Sequence, residues 1–398
     1  MNETKVKPLD GVRVLDLTQV MAGPFCAMLL CDMGADVIKV EPPGGDSTRT
    51  MPGAVGTDSP SFNAVNRGKR GIVVNLKRPE GVDVVRRLAG TVDILVENYR
   101  PGVLARLGLG YESLSELRPE LIYASVSGYG QTGPDAGKGG FDLVAQGVSG
   151  LMSVTGESGR PPAKVGVPIT DLGAGLFAVT GILAALLARG RTGRGQRVDT
   201  SLVDAGVALS VWEATQYFSG RGVPGPLGSA HRMNAPYEAI RCADGFMTIG
   251  AANDRTFERL CEALGHPEWT SEPDFATNAA RVQHRAALAA RIGAVMSEHD
   301  RSHWLELLER HGVPCGPIND YAEVMADPHV RARELVVDTD HPTLGRVETL
   351  GTPVKLSDTP LMPGRPAPTL GQHTDELLGE AGFDPDEIVG LRDAGVVD

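Results

Sequence analysis

No histidine occurs before position 231 in this chain of 398 residues; all nine lie from His231 onward. The first half therefore has no histidine base of its own. The short motifs of several common enzymes are missing too. No G-x-S-x-G elbow presents a serine nucleophile, and Gly147-Val148-Ser149-Gly150 is only superficially similar. Neither a P-loop nor an H-E-x-x-H pair is found. No G-x-G-x-x-G separates the first strand-like run from its helix, so the dinucleotide fingerprint is absent. Cysteines are few, odd in number and widely spaced: Cys26, Cys31, Cys242, Cys261 and Cys315. That spacing argues against a disulfide framework and against a metal site. Basic residues are outnumbered, 38 Lys and Arg against 50 Asp and Glu, and the net charge of −12 disfavours a nucleic-acid partner. The polar start, Met1 to Lys7, has no apolar signal segment. The longest uncharged run, Leu172 to Ala188, is short for a membrane span and carries Gly173, Gly175 and Gly181. We read it as a buried helix, with no membrane partner and the cytoplasm as the default location.

What is present is a repeated strand–helix alternation. A strand at Val12–Leu17 runs into Met21-Ala22-Gly23-Pro24, a short apolar helix and a second strand at Ala35–Val40. Further strands are expected at Gly71–Leu76, Asp93–Glu97 and Leu121–Ser127, with helices at Pro79–Ala89, Gly102–Leu107 and Tyr111–Leu117 between them. This order predicts a mostly parallel sheet covered on both faces, with a ligand at the strand-to-helix turns. Phe141–Gly147 reads as a helix, Asp171–Arg189 as a long apolar helix, Gln196–Thr200 as a strand and Leu202–Phe218 as a single helix. The Gly- and Pro-rich Ser219–Gly228 is a linker. Beyond it we expect a strand at Phe246–Ala251, helices at Asp254–Leu264, His284–Ser297 and Arg301–His311, short strands within Leu335–Val354, and one helical segment at Thr374–Leu391. The fold class is α/β: a large Rossmann-like domain over residues 1–218, a linker over 219–235, a smaller α+β domain over 236–345 and a C-terminal segment over 346–398.

Carboxylates are the remaining candidates for chemistry in the first half. Asp171 precedes the apolar helix. It reads either as a helix N-cap or as a nucleophile toward an activated acyl group, and the two roles can coexist. Asp142, after Phe141, is a second candidate, or a solvated or capping residue. Lys39, Arg49, Lys69, Arg70, Lys77, Arg100, Arg106 and Lys138 supply cations near predicted strand ends. They are scattered surface charge or partners for a phosphate-rich ligand.

Several segments, in order, resemble the class III CoA-transferases, the group that includes formyl-CoA transferase, carnitine CoA-transferase, succinyl-CoA:dicarboxylate CoA-transferases and α-methylacyl-CoA racemase. They are Pro8–Pro43, Asn66-Arg67-Gly68-Lys69-Arg70 with Asn75-Leu76-Lys77, Glu97-Asn98-Tyr99-Arg100-Pro101-Gly102, Ser127-Gly128-Tyr129-Gly130, Val144-Ala145-Gln146, Thr192-Gly193-Arg194-Gly195-Gln196, Gly312-Val313-Pro314-Cys315-Gly316-Pro317 and Leu370-Gly371-Gln372-His373-Thr374-Asp375-Glu376. The resemblance implies that Asp171 is the catalytic aspartate, forming a mixed anhydride and then an aspartyl-CoA thioester. Coenzyme A is implied as co-substrate, with no permanently bound cofactor and no metal. Met21 and Ala22 match positions beside the thioester. Val74, Asn75, Lys77, Asn98, Tyr99, Arg100 and Arg106 match CoA contacts, and Lys138, Gly139 and Phe141 match the loop along the pantetheine arm. Acyl-CoA and carboxylic acid substrates follow, with succinyl-CoA as a candidate donor. The resemblance also implies an interlocked homodimer whose chain end returns to the first domain. Two departures bear on specificity. The racemase branch has a histidine where Phe141 stands, which argues against an acyl-CoA racemase or epimerase here. The glycine run of formyl-CoA transferase is replaced by Gly250-Ala251-Ala252-Asn253. A non-catalytic acyl-CoA-binding protein is the reading from another class.

Overall fold

The alternating runs of the first two hundred residues form one six-stranded sheet in the computed structural model, which describes residues 6–361 and 363–398. Its strands are β1 (Arg13–Asp16), β2 (Asp36–Glu41), β3 (Arg70–Val73), β4 (Ile94–Glu97), β5 (Ile122–Ser127) and β6 (Arg197–Ser201). The order is β3-β2-β1-β4-β5-β6, and every neighbouring pair is parallel. Side chains alternate between the two faces of a strand, and here both faces are cores. Leu15, Ile38, Ile72, Leu95 and Tyr123 enter one of them. Val14, Val37, Ile94, Val96, Ile122 and Ala124 enter the other. This double burial is why the strands read as near-continuous apolar runs.

The first core is covered by helix Pro79–Ala89, with proline in its first turn and Val84, Val85 and Leu88 buried along one side. It is closed by the end of the chain. Leu377, Leu378, Ile388, Val396 and Val397 pack there, and Asn75 N donates to Val396 O at 2.8 Å. The Arg70 guanidinium fixes the same return by pairing with Asp36, Glu376 and Glu380. The second core is covered by helices Ala22–Asp32, Ile169–Thr192 and Leu202–Ala208.

Three helix expectations are corrected. The long helix starts at Ile169, and it is buried along one side only. Ala174, Ala178, Val179, Ile182 and Ala185 face the core, whereas Leu176, Phe177 and Leu187 are exposed. By length and composition alone it is apolar enough to cross a membrane. The expected helix Leu202–Phe218 is two, Leu202–Ala208 and Val211–Phe218. At the break Ser210 N donates to Val207 O at 3.1 Å, a three-residue step in place of the four-residue ladder, and Ser210 Oγ donates to Gly206 O at 3.0 Å. The expected helical segment Thr374–Leu391 is also two, because Asp384 caps a fresh helix, Pro385–Asp393, in a capping box with Glu387.

Contacts group the chain into two units. The larger holds the parallel sheet: residues up to Leu151, then Val165–Thr215 and Pro328–Asp398. The smaller holds Met152–Lys164 and Gln216–Asp327. The antiparallel hairpin Val336–His341 with Gly345–Leu350 therefore falls in the larger unit, whereas the sequence reading places 236–345 together. Within the smaller unit an antiparallel sheet of β7 (Tyr237–Cys242), β8 (Gly245–Gly250) and β9 (Cys315–Pro317) packs on three helices, Asp254–Ala263, Arg285–Met296 and Arg301–Arg310. Phe257, Leu260, Trp269, Phe275, Leu288 and Trp304 form its core. The hairpin itself is β10 (Val336–His341) and β11 (Gly345–Leu350).

Candidate active site

In an open parallel sheet, ligands bind outside the carboxyl ends of the strands where the strand order reverses. Here the reversal lies between β1 and β4. A cavity of about 310 Å³ opens at that point, lined by Gln19–Ala22 after β1, Asn98–Pro101 after β4, Val126–Gly128 at the end of β5, residues 138–142, Asp171, and Leu202 after β6. Every lining residue belongs to the larger unit.

Local chemistry fixes each wall. The Asn98 amide clasps the Gln19 peptide from both sides: Gln19 N donates to Asn98 Oδ1 at 2.9 Å, and Asn98 Nδ2 donates to Gln19 O at 2.7 Å. The loop after β5 crosses the 138–142 segment backbone to backbone. A Cβ on Gly140 would stand 2.4 Å from Gly128 Cα, and one on Gly128 would stand 2.7 Å from Gly140 Cα. Only two glycines permit that crossing.

Asp171 is the third residue of helix Ile169–Thr192, whose N-cap is Pro168, so the N-cap expectation does not hold. No hydrogen bond is made to its carboxylate among the described residues. The capping role belongs to Asp142, which reaches over from helix Asp142–Val148. Asp142 Oδ1 accepts from Thr170 N at 2.9 Å and from Thr170 Oγ1 at 2.7 Å, and its Oδ2 accepts from Gln146 Nε2 at 2.7 Å. Gln146 is oriented in turn, since its Oε1 accepts from Val165 N at 2.8 Å. The site thus holds one saturated carboxylate and one free one. Burial, then the negative charge of Asp142, pushes the Asp171 carboxyl up to about 6. It prevails over the helix N-terminus, which favours the ionised form. A carboxylate so placed is ionised near neutrality, poorly solvated and more basic than an ordinary aspartate, as a nucleophile requires.

Of the residues expected from the sequence, Met21, Ala22, Asn98, Tyr99, Arg100, Lys138, Gly139, Phe141 and Asp171 share this cavity. Val74, Asn75, Lys77 and Arg106 lie outside its lining. Val74 is buried, its N–H donating to Glu41 O at 2.8 Å. Asn75 Oδ1 accepts from Lys77 N at 3.1 Å, and the Lys77 side chain is exposed. Arg106 ends the single-turn helix Val103–Arg106. The supply of phosphate-binding cations is smaller than the sequence suggested. Lys39, Arg49 and Lys69 are fully buried and paired with Asp46, Glu41 and Asp16. Arg70 is spent on the chain end. Arg100 carries no carboxylate partner among the described residues and lies against Gly139. Sequence reasoning missed Gln19, Ser127, Gly140 and Leu202, and it missed that Asp142 caps the helix carrying Asp171. The sequence offered Asp142 only as a second candidate or a solvated or capping residue, with no signal for which helix it caps.

Residues 9–374 match CoA-transferase family III. The chain is 44% identical to human succinyl-CoA:glutarate CoA-transferase, over 99% of this chain and 90% of that protein. It is 42% identical to the succinate–glutarate CoA-transferase of Agrobacterium fabrum, over 94% and 95% of the two chains. A crystal structure of a CAIB/BAIF family protein from Brucella suis is 40% identical and superposes with a TM-score of 0.85, covering 94% of this chain and 99% of that one. With its free aspartate at the switch point of a parallel sheet, the chain belongs to CoA-transferase family III.

Proposed function

We propose that this enzyme moves CoA from an acyl-CoA, with succinyl-CoA as donor, to a second carboxylic acid through covalent intermediates on Asp171. The relatives support succinyl-CoA by their names, and they make glutarate the first acceptor to assay. The observation that carries the mechanism is the unpartnered, half-buried Asp171 carboxylate beside Asp142.

In the first step a carboxylate oxygen of Asp171 attacks the thioester carbonyl. The tetrahedral adduct expels CoA thiolate and leaves a mixed anhydride. The thiolate then attacks the aspartyl carbonyl, releasing the donor carboxylate and leaving an aspartyl-CoA thioester. The acceptor carboxylate attacks that thioester, giving a second anhydride and thiolate. Attack of the thiolate on the acceptor carbonyl releases the new acyl-CoA and regenerates Asp171. No net proton is exchanged, which suits a cavity without a histidine in its lining. Acylation cancels the Asp171 charge beside Asp142, so the repulsion that raises its proton affinity also favours the adduct. The N–H groups of Met21 and Ala22 have no acceptor among the described residues and supply donors for the tetrahedral oxyanions.

Arg100 and Lys138, at the cavity mouth, are assigned to the phosphate and pantetheine parts of CoA, with Val74, Asn75, Lys77 and Arg106 as more distant contacts. The enzyme is assigned to the cytoplasm as an interlocked homodimer. The dimer accounts for exposed Leu143, Val144, Val148 and Val207 on two helices, Asp142–Val148 and Leu202–Ala208, that pack on each other. To test the mechanism, enzyme and succinyl-CoA are mixed and trapped with hydroxylamine or borohydride. A mass change on the peptide carrying Asp171 is expected, together with loss of exchange in Asp171→Ala. An unmodified Asp171 peptide and a fully active Asp171→Ala enzyme would falsify it.

A further inference from the structure

Val20, in the cavity wall, has a left-handed backbone with φ +71°. A β-branched side chain makes that conformation costly, so something must hold it. The holder is a buried ionic frame behind the loop. Val20 N donates to Asp46 Oδ2 at 3.1 Å. Lys39 Nζ stands 3.2 Å from the same oxygen and donates to Thr18 O at 2.5 Å. Thr18 N donates to Asp16 Oδ1 at 2.9 Å. Lys39, Asp46, Asp16 and Thr18 are all buried, and neither Lys39 nor Asp46 lines the cavity. Burial opposes the Lys39 ammonium, but Asp16, Asp46 and Glu41 outweigh it and hold it above its ordinary range. Burial likewise opposes the Asp46 carboxylate, yet Lys39 and the surrounding donors keep it below its own. Ions buried at this depth are costly, and packed apolar side chains would be cheaper as mere filling.

The residues after Val20 are Met21 and Ala22, the N-cap and first residue of helix Ala22–Asp32. Their N–H groups face no protein acceptor among the described residues. We propose that Asp46 and Lys39 are positioning residues for acyl transfer, holding the Val20 peptide left-handed so that the Met21 and Ala22 N–H groups meet the developing oxyanion. This rests on the reading of Asp171 as nucleophile. Were Val20 to relax to negative φ, the peptides on either side would turn and the donors would leave that position. CoA would still bind, because its other contacts lie on different loops.

The test is a variant series assayed with succinyl-CoA. Asp46→Asn keeps Oδ1 for Thr48 and sets an NH2 group against Val20 N and Lys39. We expect kcat to fall about tenfold or more while KM for succinyl-CoA stays within about threefold. Adding Val20→Gly to Asp46→Asn should restore most of the lost kcat, since glycine reaches positive φ unaided. The melting temperature of the double variant should not recover, which separates positioning from general support. Val20→Pro fixes φ near −65° and removes the N–H. On a half-exposed loop position it should fold, bind CoA and turn over about a hundredfold more slowly, or worse. Full activity in Asp46→Asn, a loss that Val20→Gly does not relieve, or a folded Val20→Pro enzyme with ordinary kcat would each overturn the proposal. Should Asp46→Asn not fold, Val20→Pro decides alone. Trapping the Asp171 adduct in the unaltered enzyme tests the nucleophile separately.

Discussion

Asp171 differs from an ordinary surface aspartate through what surrounds it. Its carboxyl is raised to about 6 by burial and then by Asp142. The proposed nucleophile must be ionised to react, so kcat/KM should climb with pH through about 6 and level off above it. Asp142→Asn removes the neighbouring charge, so the acid limb should move to lower pH. An unmoved limb in a folded Asp142→Asn enzyme would show that another group controls it. Stability should run the other way. A folded-state pKa above the unfolded one means that folding takes up a proton, so the contribution is complete at low pH and lost as pH rises through about 6. Asp171→Asn, neutral at every pH, should therefore be more stable than the parent at pH 8 by roughly 1–3 kcal/mol, with the advantage gone near pH 4. Denaturant melts at the two pH values measure this; an equal difference at both would contradict it. Asp171 was legible because it precedes a long apolar run. The charge that tunes it was not, since Asp142 lies in a different helix and only folding sets the two side by side.

The elements of the larger unit agree with their sequence signals to different degrees, for identifiable reasons. Helices Pro79–Ala89 and Tyr111–Leu117 agree with expectation because their apolar spacing and their starts are local signals. At the break the backbone tightens to a three-residue step, Ser210 N donating to Val207 O at 3.1 Å, which periodicity does not show. Gly128 and Gly140 appear in sequence as two unremarkable loop glycines, although their close crossing shapes a cavity wall. Gly140→Ala must separate the two loops. We expect KM for succinyl-CoA to rise and kcat to fall, each by about threefold or more, with a stability cost of about 1–3 kcal/mol from the forced overlap. Steady-state kinetics and thermal melts check it; parental KM and kcat would mean that the loops yield without cost. The long helix has a similar constraint at Gly175, where a Cβ would stand 2.8 Å from Ala22 O. Gly175→Ala should push the helix carrying Asp171 from its neighbour and slow turnover.

The molecule leaves apolar helix faces exposed in the single chain, on Asp142–Val148, Ile169–Thr192 and Leu202–Ala208. A second copy covering them would remove that surface from water. If the two chains are interlocked, dilution alone cannot part them. Sedimentation should then find dimer at nanomolar concentration, and the dimer should vanish only as the fold unfolds. Folded monomer on dilution would exclude interlocking. The chain end matters at this level too, because Leu377, Leu378, Val396 and Val397 complete the first core and Arg70 ties Glu376 and Glu380 to β3.

The linear order of residues was enough for the α/β alternation, the parallel sheet and the family likeness. Each of these rests on local periodicity or on motifs read in order along the chain. Folding alone selected among the charges. It buried Lys39, Arg49 and Lys69 in ion pairs, left Arg100 at the cavity, gave the cap to Asp142 and freed Asp171. Burial and charge–charge distance set those outcomes, and both depend on neighbours far away along the chain.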